Sequence, residues 1–66
     1  MMLRDEGMFQ GYKQFGGYQF EDCGGSWLVR VLTRGAWVPV GRIDRLRRES
    51  NYKLLERGRA LGREVL

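Results

Sequence analysis

The 66-residue chain contains no histidine, one cysteine and one proline. Each shortage removes a class of function. Without histidine there is no Ser-His-Asp or Cys-His catalytic set, and a zinc finger lacks its usual nitrogen ligands. The single cysteine, Cys23, has no internal disulfide partner, and a lone thiol suits a reducing cytoplasm. Long apolar runs are missing too. Stretches such as Trp27-Leu28-Val29 fall far short of a membrane span. Arg4, Asp5, Glu6 and Gly7 stand where a signal peptide needs an apolar region. The length supports one small domain over residues 1–66, with a shallow core. Neither an enzyme nor a bound cofactor is expected, and the two acidic pairs, Asp5-Glu6 and Glu21-Asp22, fix no metal-ligand geometry. The expected class is a binding or structural module.

What is present is positive charge, glycine and aromatic side chains. Twelve Lys+Arg against eight Asp+Glu give a net charge of +4, and ten of the twelve cations are arginine. Arginine is the better fork for phosphate and carboxylate. A basic small domain suits a nucleic acid or an acidic protein surface.

Glycine divides the first part of the chain. Gly16-Gly17, Gly24-Gly25 and Gly35 separate short runs rich in aromatic and β-branched residues, which is the pattern of strands and turns. The runs predict strands over 8–15, 18–22, 27–33 and 36–42, after a flexible segment at 1–7. In the third, Trp27, Val29, Val31 and Thr33 share one face, while Leu28, Arg30 and Leu32 share the other. Arg34-Gly35 reads as a two-residue hairpin turn. Pro39 lacks an amide donor and places the fourth strand at a sheet edge.

After Gly41 the texture becomes helical. Ile43, Leu46, Leu54, Leu61 and Val65 fall near one direction at about 100° per residue, predicting a helix over 43–66. Ser50-Asn51 is where it would break, or where a second helix would be capped. Gly58 and Gly62 suggest close approach to the sheet or to a second copy. The fold expected is α+β: an antiparallel β-meander of three or four strands at 8–42, with one C-terminal helix packed on one face.

Two constellations bear on function. On a continuous helical wheel, Arg45, Arg48, Tyr52, Arg59 and Arg63 point away from the apolar side. They form a stripe able to track a phosphate backbone, with the ring free to stack. A solvated helix face, with Asp44, Glu49 and Glu56 nearby, is the plainer explanation of the same stripe. The second constellation is aromatic. Phe9, Tyr12, Phe15, Tyr18, Phe20, Trp27 and Trp37 lie in the strand region, interleaved with Lys13, Arg30, Arg34 and Arg42. In so small a domain most of these rings are expected in the core, with Trp27 and Trp37 pairing across their hairpin. Arg30 is expected to pair with Glu21 or Asp22. Cys23, between carboxylates and glycines, reads as an inert residue beside a turn.

These observations support two functions. The first is a non-enzymatic nucleic-acid-binding module for DNA or RNA, using Arg45, Arg48, Tyr52, Arg59 and Arg63 with Arg30, Arg34 and Arg42. The second is a protein-interaction module: a regulator or inhibitor, as mobile elements and phages encode, docking through Trp27, Leu28, Leu32, Trp37 and Pro39. A homodimer, or a subunit of a larger complex, would cover the apolar residues on the sheet's second face. No membrane partner is implied. The sheet-then-helix order is similar in outline to the arm-binding modules of tyrosine recombinases, without a motif that extends the likeness to residues.

Overall fold

The computed structural model of the protein describes residues 11–66. It contains β1 (Tyr12–Phe15), β2 (Tyr18–Asp22), β3 (Ser26–Thr33), β4 (Ala36–Asp44) and α1 (Asn51–Val65). Among the described residues the strands form one antiparallel meander in the order β1-β2-β3-β4, with the helix packed on one face. This is the α+β architecture that the strand and helix patterns imply. The expected flexible segment at 1–7, the strand residues 8–10 and Phe9 lie outside the described residues.

The turns follow from backbone sterics. Gly16-Gly17 and Arg34-Gly35 hold positive φ at both positions, 60° and 78° in the first and 53° and 79° in the second. That is the signature of the type I′ turn, whose twist matches the flanking strands. Asp22 stabilises the next loop by accepting the Gly24 amide at 2.9 Å.

One irregularity shapes the sheet. Val29 faces Gly41 and Arg30 faces Pro39, so Val40 is an extra residue in β4. This β-bulge places Val40 in the core, while Gly41, at φ 146°, lies against the side chain of Leu61. β4 is the sheet edge expected from Pro39.

The core joins Phe20, Trp27, Val29, Val40 and Leu54, with Phe15, Tyr18, Val31, Ile43 and Leu61 packed around it. Phe20 is its hub. Its ring centroid lies 5.5 Å from Phe15, 6.3 Å from Tyr18 and 6.4 Å from Trp27. The helix buries Leu54, Gly58 and Gly62, a row spaced by four residues. A Cβ on Gly58 would lie 2.7 Å from the Phe20 ring, so the backbone approaches the sheet where a side chain would not fit. The glycine pair therefore serves contact with the sheet.

The helix begins later than the apolar spacing predicts. Ile43 and Asp44 continue β4, residues 45–50 form a loop, and Ser50 caps the helix by accepting the Lys53 amide at 3.2 Å. Leu46 and Val65, placed by the wheel on the apolar side, are both exposed. The periodicity ran on through a strand end and a loop because Ile43 and Leu46 happen to share the helical spacing. No described helix is long and apolar enough to cross a membrane.

Candidate nucleic-acid interface

The late start of α1 divides the predicted arginine stripe. Arg45 and Arg48 lie in the β4–α1 loop, whereas Tyr52, Arg59 and Arg63 lie on the exposed side of the helix. Glu56 sits within that exposed row. Its carboxylate, beside the Tyr52 hydroxyl, pushes the phenol above its ordinary range. The single helical stripe is thus replaced by two groups, one on each side of the helix start.

The loop group is the richer one. Arg45, Arg47 and Arg48 line a pocket together with Lys13, Trp27, Leu46, Glu49 and Leu54. Lys13 comes from β1, on the face that carries Phe20. Its Nζ donates to Asn51 Oδ1 at 2.8 Å and lies 5.8 Å from the Trp27 ring centroid. The Arg45 guanidinium lies 5.2 Å from the same ring, and its Nε is 3.5 Å from Asp22 Oδ2. Trp27 is therefore a core residue with cations against its ring, a favourable arrangement for an aromatic quadrupole.

The carboxylates in this region are already engaged. Glu49 is half-buried and accepts from Arg57 Nε at 2.7 Å and from a second Arg57 nitrogen at 2.9 Å. The same guanidinium also donates to the Asp44 carbonyl. This two-point clamp holds Glu49 below its ordinary 4.5, against the opposing effect of burial, with Lys13 and Lys53 adding to the pull. The first helical turn itself contains no acid, so Glu49, clamped by Arg57, is the carboxylate that precedes the positive end of the helix dipole.

The remaining candidates are dispersed. Arg30 is on the sheet face away from the helix. It donates to Glu21 at 2.7 Å and to Gln19 at 3.4 Å, the cross-strand pairing anticipated for it. Arg34 occupies the β3–β4 turn, and Arg42 the edge strand. Among the described residues, Arg34, Arg42, Arg47, Arg48, Arg59 and Arg63 enter no ion pair.

The expected protein-docking set is also divided. Trp27 is buried in the core and offers no interface. Trp37 pairs with Leu32 on the opposite face, so the two tryptophans do not meet across the hairpin. Leu28, Leu32, Trp37 and Pro39 remain on the face away from the helix, with Leu32 48% exposed.

Three contributors escaped the helical-wheel reading. Lys13 belongs to the loop cluster because β1 brings it across from Phe20. Arg47 was off the stripe only because a continuous helix was assumed. Arg57 frees the loop of a carboxylate through a contact eight residues back in the chain. Alternation in β1 was the available signal for Lys13; none existed for Arg57. No family model matches the sequence, and no curated protein or solved structure is significantly similar to it.

Proposed function

We propose that this protein is a non-enzymatic nucleic-acid-binding module whose basic end engages the phosphate backbone of DNA or RNA. The observation that carries the reading is the surplus of unpaired guanidinium groups in the β4–α1 loop and along the exposed face of α1. Arg47 and Arg48 lie in the loop, Arg59 and Arg63 on the exposed helix face, and the half-buried acid Glu49 is held by Arg57. Phosphate contacts of this kind give affinity without sequence preference, and the affinity is strongly salt-dependent. Tyr52, 69% exposed between the two groups, adds a ring for stacking. Arg30 supports the sheet and is not one of the contacts. A reducing cytoplasm, where the exposed thiol of Cys23 stays reduced, is the setting that goes with this proposal.

A second reading rests on a different surface. Leu28, Leu32, Trp37 and Pro39 share the sheet face away from the helix. It proposes a protein-interaction module, with that face covered by a second copy or by a subunit of a larger complex.

Fluorescence anisotropy with a labelled DNA duplex, and with its single strand, separates the two. The nucleic-acid reading expects binding at low salt that Arg47→Gln with Arg48→Gln weakens at least tenfold, while Leu32→Ser leaves it unchanged. Failure to bind either strand form or duplex would remove it. Self-association lost in Leu32→Ser would then favour the second reading.

A further inference from the structure

The pocket between the β4–α1 loop and the starts of β1 and β3 has features the general basicity of the chain does not require. Four cations from two separate parts of the sequence, Lys13, Arg45, Arg47 and Arg48, line it. One carboxylate lines it too, Glu49, and both of its oxygens are taken by Arg57. The floor is apolar, formed by Trp27 and Leu54. Two of the cations are positioned in advance. Lys13 is fixed by Asn51, and the Arg45 backbone is fixed by its amide donating to the Gly25 carbonyl at 3.0 Å. Arg48 holds φ at 56°, a conformation that glycine or asparagine would adopt at lower cost.

We propose that this pocket seats one phosphate group of a nucleic-acid strand, held by Lys13, Arg45, Arg47 and Arg48. The proposal rests on the nucleic-acid reading for the polymer, but the pocket's own chemistry selects the phosphate. Arginine forks match phosphate oxygens, and a lysine adds a point charge. A single carboxylate would leave most of the four cations unanswered. Size limits the ligand as well. The pocket holds about 200 Å³, enough for one phosphate with several waters at about 30 Å³ each. It is smaller than the roughly 300–1,000 Å³ of sites that enclose whole small molecules. A phosphate contact of this kind fixes position and reads no sequence.

Trp27 provides a reporter, because Arg45 and Lys13 lie against its ring. In Trp37→Phe it is the sole tryptophan. Titration of this variant with inorganic phosphate, against sodium chloride of equal ionic strength, should give a saturable change in Trp27 emission. Half-saturation is expected at least tenfold lower for phosphate than for chloride. Arg48→Gln, at an exposed loop position, should weaken the phosphate response at least fivefold with circular dichroism unchanged. Superimposable phosphate and chloride curves would overturn the pocket. Amide shifts of residues 45–49, followed by NMR in the unsubstituted protein, give the same decision if Trp37→Phe fails to fold.

A short oligothymidylate identifies the source of the phosphate. Competition between it and inorganic phosphate for the Trp27 signal supports a strand phosphate. A phosphate response with no competition would overturn the strand as the source. DNA binding in the anisotropy assay without any phosphate response would overturn the pocket and leave the wider reading standing.

Discussion

At the residue scale, the two helix glycines separate by what lies opposite them. A Cβ on Gly58 would meet the Phe20 ring at 2.7 Å, and that ring is fully buried. Gly58→Ala gains about 1 kcal/mol in helix propensity but forces the core apart, at a cost of about 1–3 kcal/mol. We expect net destabilisation in a urea melt. On Gly62 the neighbour is the Tyr18 hydroxyl at 2.9 Å, the far end of a half-buried side chain that can swing aside. Gly62→Ala should be neutral or stabilising by up to about 1 kcal/mol. Arg48→Gly removes the left-handed strain and should leave stability unchanged or raised by up to about 1 kcal/mol. The same change should weaken DNA binding. Opposite movement of these two readouts marks Arg48 as a residue whose identity serves binding and not the fold.

Several single residues were legible from sequence. Alternation in β3 put Trp27 and Val29 on one face and Arg30 on the other, and the structure has this arrangement, with Phe20 of β2 joining the first. Pro39 marked the edge. Trp27 was only partly legible: alternation grouped it with Val29, but the expected pairing with Trp37 and the docking role fail because it lies in the core, and its cation contacts depend on a loop whose path no local pattern specifies.

At the element scale, the boundary between β4 and α1 governs the reading of the site. A helical wheel continued through 43–50 creates an arginine stripe that the chain does not form. Ser50 was the residue that signalled the true start, because its hydroxyl satisfies an amide the first turn leaves unpaired. Ser50→Ala should cost about 1 kcal/mol, measured by chemical denaturation, and should loosen the cationic loop beside it. The bulge at Val40-Gly41 had no sequence signal beyond a glycine in a strand.

The Glu49–Arg57 clamp joins this loop to the helix and carries a pH dependence. The folded pKa of Glu49 lies below the ordinary value because the Arg57 hydrogen bonds stabilise the carboxylate. The unfolded chain then binds the proton more readily. The clamp's contribution is complete above about 4.5 and drains away as pH falls through the lower, folded value. Thermal midpoints measured from neutral pH downward should fall below that point in the unsubstituted protein. They should fall less in Glu49→Gln, which should also be less stable at neutral pH by about 1–2 kcal/mol.

At the scale of the whole molecule, the meander and the single helix were readable because glycine turns and alternating strands are local signals. The assembly of the basic end was not. It needs β1, the foot of β3, the loop and the helix start to converge, and those contacts join residues as distant as Lys13 and Asn51. The same convergence leaves the face bearing Leu32 and Trp37 clear of the helix. The cations around the loop and the apolar side chains of the opposite sheet face therefore lie on different surfaces of one small fold, and either set can be altered separately.

The salt dependence of DNA affinity tests the central claim most directly. With one phosphate in the pocket and one each at Arg59 and Arg63, a plot of log K against log salt should have a slope of about −3. In the double variant Arg47→Gln with Arg48→Gln its magnitude should drop by about 1, the single phosphate that the two side chains share in the pocket. An unchanged slope in that variant, or a slope near zero in the unsubstituted protein, would contradict the claim that this basic end binds a phosphate backbone.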